Sequence, residues 1–287
     1  MLREVLKFLN PSAGQKFIDC TLGGAGYTLA LAQIVGEKGK VVGIDLDDLA
    51  LKNAAAEIKN RKFTNIILVP GNFKNLEAII GANFPKGQKF DGIVMDLGLS
   101  SAQLDDESRG FSFKGDRPLD MAFGPANERS TADIVNYYPL SELTRIFREY
   151  GEERDAYRIA KAIVESRRVK KLATTAELVA LIESAVPLRF RSRIHPATKI
   201  FQALRMETNE ELSALSEVLP AAAKILKTGG RLVVVSFHSG EDRIVKRYLR
   251  DTAGWKILTK RPEIPTEDEI GANPRARSAK LRAAETK

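Results

Sequence analysis

Four short apolar runs, separated by segments of helical periodicity, occupy the first hundred residues. They are Lys16–Cys20, Lys40–Asp45, Asn65–Val69 and Phe90–Asp96. Residues 28–36, 47–60 and 74–82 between them read as helices. Strand, helix, strand in this rhythm calls for parallel pairing, because each helix carries the chain back to the edge where the previous strand began. The runs are continuously apolar rather than alternating. A strand of that kind is covered on both faces. The expectation is therefore an α/β fold with a doubly wound parallel sheet.

The rhythm then breaks. Residues 100–130 are rich in Gly, Ser, Asp and Pro and read as a long loop. Residues 131–212 are mostly helical and basic. A strand signal returns at Gly230–Phe237. The simplest organisation is a discontinuous core domain, 1–104 and 205–287, with a mainly helical insertion at 105–204. The polar, Pro-containing tail from about 256 is expected to wrap the surface or to dock on a ligand.

Composition narrows the setting. At 287 residues with 44% hydrophobic and 29% charged side chains, wholesale disorder is excluded. No apolar run approaches the length of a membrane span. Leu2–Leu6 carries an acid and lacks the apolar core of a signal peptide. The single Cys20 excludes an internal disulfide, and a cytoplasmic location follows as the expectation. Two histidines and one cysteine argue against a structural zinc site. There are 45 basic and 37 acidic residues, and between Arg145 and Arg205 the count is 14 against 7. That concentration, with Arg275, Arg277, Lys280 and Arg282 in the tail, fits either a polyanion partner or solvated helix faces.

The chemistry-bearing motifs sit at strand ends. Asp19-Cys-Thr-Leu-Gly-Gly-Ala-Gly-Tyr27 is a glycine-rich turn between a strand and a helix N-terminus, the place where a ligand can approach the backbone closely. Asp45 ends the second strand, 21 residues after Gly24, where an acid accepts hydrogen bonds from ribose hydroxyls. The pair implies a nucleoside-containing cofactor without separating NAD from S-adenosylmethionine. Leu29 stands where a dinucleotide fingerprint wants Gly or Ala, which argues against NAD. Gly71-Asn72-Phe73 either meets an adenine, Asn72 at its edge and Phe73 on its face, or anchors a loop. Asp96-Leu-Gly-Leu-Ser-Ser101 ends the fourth strand, where a doubly wound enzyme places the group that meets substrate. Phe111 and Phe113 beyond it suit an unstacked base, or serve as core anchors.

Five segments carry a resemblance: Asp96–Phe113, Pro118–Met121, His195–Arg205, Ser236–Arg243 and Asn273–Arg282. In these the chain resembles the ribosomal small-subunit RNA cytosine-N4 methyltransferases, the RsmH/MraW family. The resemblance implies a class I, Rossmann-like, S-adenosylmethionine-dependent methyltransferase domain with an inserted helical domain that holds RNA. It implies cofactor contacts at Ala25, Gly26, Tyr27, Asp45, Phe73, Asp96 and Gln103. Asp96, Ser100 and His238 are the expected catalytic residues, with small-subunit ribosomal RNA as partner and no metal. The family turn usually ends Gly-Gly-His where this chain has Ala25-Gly26-Tyr27. It usually has Leu at the position of Gly240, and it usually begins with a short His-containing segment ahead of the part matching Leu2–Leu6. His195, before Pro196, reads as a domain-junction residue. The alternative is a noncatalytic RNA- or ribosome-binding protein on a vestigial methyltransferase fold. The acids at 45 and 96 and the glutamine at 103 favour the enzyme.

Overall fold

The computed structural model describes residues 1–113, 115–124, 127, 129–186 and 195–287. The chain divides into two compact units, 1–100 with 212–287, and 101–211. The sequence places the expected boundaries at 104/105 and 204/205.

The first unit contains α1 (Leu2–Leu9), β1 (Lys16–Asp19), α2 (Gly26–Val35), β2 (Lys40–Asp45), α3 (Asp48–Asn60), β3 (Ile66–Pro70), α4 (Leu76–Asn83) and β4 (Phe90–Asp96). The second begins at α5 (Ser101–Asp105) and holds α6 (Thr131–Tyr137), α7 (Leu140–Glu149), α8 (Ala156–Ser166), α9 (Thr175–Ala185) and α10 (Pro196–Thr208). The chain re-enters the first unit through α11 (Glu211–Ile225). There follow β5 (Leu226–Ser236), α12 (Ser239–Asp251), β6 (Trp255–Ile257), α13 (Glu267–Ala272) and β7 (Lys280–Thr286).

Seven strands form one sheet in the order β3-β2-β1-β4-β5-β7-β6. The first five are parallel to their neighbours, and β7 runs antiparallel to both β5 and β6. Adjacent residues along each strand point to opposite faces. Ile18, Val42, Ile93 and Val234 pack with Leu76, Leu219 and Val245 on one face. Phe17, Val41, Val94 and Val233 pack with Val5, Leu9 and Leu31 on the other. Both faces are thus covered, as continuously apolar strands require.

The tail departs from the reading above. Residues 280–286 do not wrap the surface. They form β7, inserted between β5 and β6, with Leu281, Arg282, Ala283 and Ala284 buried. Lys-Leu-Arg-Ala-Ala-Glu-Thr looks polar, but its small and apolar residues lie where two neighbouring strands and two helical layers need thin side chains. Arg282 is held by Asp242 of α12 through two bonds, 2.6 and 3.1 Å.

The second unit has its own core. Ile146 and Phe147 of α7, Ile159 and Ile163 of α8, Ile182 of α9 and Leu204 of α10 are all fully buried. Capping boxes at Ser130–Asp133 and Thr174–Glu177 start α6 and α9. The loop expected over 100–130 contains α5 and a short 3-10 turn at Glu107–Arg109, and is otherwise irregular where described.

Candidate active site

The parallel strands end together along one edge of the sheet, and three of them, β1, β2 and β4, end on an acid: Asp19, Asp45 and Asp96. Behind β1 the chain turns through Gly23 (φ +45°) and Ala25 (φ 60°) into α2. Ala25 is left-handed despite its side chain. Its methyl group is fully buried and its N–H donates to the Leu22 carbonyl at 2.6 Å, so packing holds a conformation that glycine would adopt more readily. Gly24 and Gly26 are exposed, with nothing within 4 Å of where a Cβ would stand. No side chain caps α2, so the N–H groups at its start are left without a capping side chain.

Asp19 braces this turn from beneath. It is fully buried, accepting from the Thr21 N–H (3.2 Å) and the Thr28 hydroxyl (2.8 Å). Burial pushes its pKa up to about 7, against the pull of those hydrogen bonds. Asp45 ties β2 to the same turn. One carboxyl oxygen accepts from the Gly23 N–H at 2.8 Å and the other from the Asp47 N–H at 2.9 Å. Each oxygen keeps a lone pair for a ligand. Burial raises the pKa of Asp45 as well.

Asp96 ends β4. Its N–H donates to the Thr21 hydroxyl oxygen at 2.6 Å, which joins β4 to the turn after β1. One carboxyl oxygen, Oδ1, is buried with no hydrogen-bond partner. The Tyr27 hydroxyl interacts with this carboxyl group and favours its ionised form. Burial pushes Asp96 up to about 6; Tyr27 and the Met1 amino group pull it down, and Glu241 pushes it up. Ser100 lies against the same turn, its Cβ 3.6 Å from where a Cβ on Gly23 would stand.

The charges around this pocket discriminate between ligands. Asp19, Asp45 and Asp96 line the strand ends, and Glu4 and Glu241 act on Tyr27 and Asp96. A pyrophosphate would meet the like charge of Asp45 and Asp96. A ligand carrying an ammonium and a sulfonium would meet opposite charge. The geometry fits S-adenosylmethionine: uncapped N–H groups, a ribose acid, and carboxylates for the cationic end.

The model of the MraW methylase family matches residues 1–287. The chain belongs to that family. It is 44% identical to a protein from Carboxydothermus hydrogenoformans named ribosomal RNA small subunit methyltransferase H, over 99% of this chain and 96% of that protein. It is 46% identical to one of the same name from Synechococcus sp. (strain JA-2-3B'a(2-13)), over 99% and 90%. Among solved structures, a candidate rRNA-methylase from Clostridium thermocellum aligns with TM-score 0.50 at 14% identity, over 100% of this chain and 95% of that one. A candidate methyltransferase from Streptococcus mutans in complex with SAH aligns with TM-score 0.50 at 11% identity, over 100% and 97%. These structures share the fold, a Rossmann-like methyltransferase sheet.

The remaining expected residues of this MraW methylase are placed as follows. Phe73 opens a 3-10 turn after β3 and is partly buried against the core. Asn72 caps that turn, accepting from the Lys74 N–H at 3.0 Å, which favours the loop-anchor reading. His238 caps α12. Its Nδ1 accepts from the Glu241 N–H at 3.3 Å, and its Nε2 stands 3.2 Å from Glu241 Oε1. The imidazole thus has a structural task at the carboxyl end of β5. Gln103 is buried in α5, within the second unit. Phe111 packs on Phe123, and Phe113 stacks on His195 at 5.0 Å, so both are aromatic anchors of that unit. His195 itself caps α10.

Four residues that shape the site escaped the sequence reading. Asp19 was legible in principle, as an acid ending a strand like Asp45 and Asp96. Asp242 and Arg282 were not, because they lie 40 residues apart in the chain, nor was Glu241, because the carboxyl group it acts on, Asp96, is distant in sequence. The basic clusters also divide. Arg167 is spent on the Val135 and Tyr138 carbonyls and Lys170 on Glu177. Arg189, Arg191 and Arg193 lie outside the described residues.

Proposed function

We propose that the protein transfers the methyl group of S-adenosylmethionine to the exocyclic N4 of a specific cytosine in small-subunit (16S) ribosomal RNA, in the cytoplasm. The observation that carries this reading is Asp96. It presents a buried carboxyl oxygen without a hydrogen-bond partner, tied to the turn after β1 through Thr21, with the carboxylate of Glu241 acting on it. The names of the curated relatives support the substrate.

Asp45 would hold the ribose hydroxyls, Phe73 the adenine face, and Ala25, Gly26 and Tyr27 the methionyl end through backbone groups. When bound, the cofactor supplies an activated methyl group on its sulfonium. The cytosine amine is a poor nucleophile because its lone pair is delocalised into the ring. Asp96 Oδ1 would accept one of its hydrogens, and Ser100 or a neighbouring carbonyl the other. This draws the nitrogen toward tetrahedral geometry and stabilises the positive charge that develops on it. His238 orients the first turn of α12 beside Asp96. The residues also align the amine behind the methyl group, which lowers the barrier further.

The test is incubation with labelled S-adenosylmethionine and under-methylated small ribosomal subunits, followed by mapping of the modified nucleoside. Label in N4-methylcytidine is the expected result. RNA binding without label would instead support the noncatalytic alternative.

A further inference from the structure

The second unit carries a solvent-facing patch that the cofactor site does not use. Its base is the turn at 167–172, clipped to the end of α6. Arg167 donates to the Val135 carbonyl at 2.7 Å and the Tyr138 carbonyl at 2.6 Å. Asn136 donates to the Leu172 carbonyl at 2.7 Å and accepts from the Leu172 N–H at 3.0 Å. These four bonds fix the turn and lift residues 168–171 into solvent. Val169, at its tip, is 92% exposed.

Beside the tip stands Tyr137, 63% exposed at the end of α6. Lys171 Nζ lies 4.5 Å from its ring centroid and donates to its hydroxyl. Arg168 is exposed, and neither Arg168 nor Lys171 pairs with an acid among the described residues. An exposed ring with one cation against it, beside a clipped turn that lifts a second cation and an apolar tip into solvent, is unusual for a merely solvated surface.

We infer that this patch docks an unpaired nucleotide of the RNA substrate, its base stacked on Tyr137 and its flanking phosphates on Arg168 and Lys171. This rests on the RNA-methylating function proposed above. A base offers a π-face that matches the ring whatever its identity, and the cations match the phosphates on either side. An acidic peptide would satisfy the cations but leave the ring unused. Because the turn is already fixed, little ordering opposes the contact.

The test uses the full chain, a fluorescent single-stranded RNA oligonucleotide, and calorimetry with S-adenosylmethionine as a control. Tyr137→Ala should weaken RNA binding about five- to 150-fold, with cofactor affinity unchanged. Tyr137→Phe should bind like the parent, and Tyr137→Leu like the alanine variant. Replacing Arg168 and Lys171 together by alanine should flatten the logarithmic salt dependence by about 1.4. Parental RNA affinity in Tyr137→Ala or Tyr137→Leu overturns the stacking site. An unchanged salt slope in the double variant overturns the phosphate contacts. Either result leaves subunit methylation by the parent intact, and with it the proposed function. A parent that neither binds RNA nor labels small subunits overturns both.

Discussion

Asp96 offers a direct test of whether the buried carboxylates serve a cationic cofactor. Below a pH of about 6 the free protein holds this group protonated, and above it the group is ionised. A ligand with an ammonium and a sulfonium binds the ionised form better. Affinity should therefore rise with pH through about 6 and level off above it. If only the ionised form binds, the ionised fraction falls about tenfold between pH 7 and pH 5, so affinity weakens about tenfold, or ~1.4 kcal/mol. Asp19 and Asp45 add slopes of their own, so the comparison is with Asp96→Asn, whose profile should lack this component. Stability runs the other way. A carboxyl raised from 3.8 to about 6 on folding lowers stability as pH rises across that window, by at most about 3 kcal/mol. Asp96→Asn should therefore gain stability relative to the parent between pH 4 and pH 7, even as its single-turnover methylation falls at least about 100-fold. Calorimetric titrations and denaturant unfolding at pH 5, 6, 7 and 8 measure both arms. Parallel pH profiles for parent and variant, in binding and stability alike, would refute the assignment of a strained carboxylate at Asp96.

Further outcomes follow from the same geometry. Asp45→Ala should weaken S-adenosylmethionine by about 1.5–3 kcal/mol in calorimetry, the scale of hydrogen bonds to a charged group. His238→Ala should lower unfolding free energy by about 1 kcal/mol through loss of the α12 cap, and His238→Asn should restore it; a methylation defect that persists in His238→Asn at full stability would give the imidazole a direct role in the reaction. Tyr27→Phe removes a hydroxyl that favours ionised Asp96, so the pH midpoint of cofactor binding should move upward. Arg282→Ala leaves Asp242 without its partner inside the fold and should cost about 3–5 kcal/mol in denaturant unfolding.

The sheet was readable because its evidence is local. Lys40–Asp45 carries its apolar run, its terminal acid and the following helix within twenty residues, and β2 forms at those bounds. The glycine turn was readable for the same reason, although the left-handed backbone at Ala25 was not, since a buried methyl group and not a glycine maintains it. The tail misled because a strand buried on both faces between two partners needs small residues more than apolar ones. Ala283 and Ala284 do not advertise a strand by propensity. Composition likewise treated Arg167, Arg168, Lys170 and Lys171 as equivalent. Only their partners separate a structural clip from an exposed cation.

The position of β7 has a consequence for the site as well as for the sheet. Arg282 reaches from β7 to Asp242 in the first turn of α12, next to Glu241, which accepts from the Phe237 and His238 N–H groups. The same Glu241 presses electrostatically on Asp96. The tail therefore fixes the helix turn whose charge helps set the ionisation of the carboxylate at the end of β4. Removing Arg282 should act at Asp96 through this chain of contacts, by loosening Glu241, while leaving Asp45 and the glycine turn in place. Arg282→Lys keeps a charge for Asp242 but cannot form two parallel bonds. In that variant the pH midpoint of cofactor binding should shift downward while the fold persists. A midpoint equal to the parent's would show that the strap supports the sheet alone and does not reach the site.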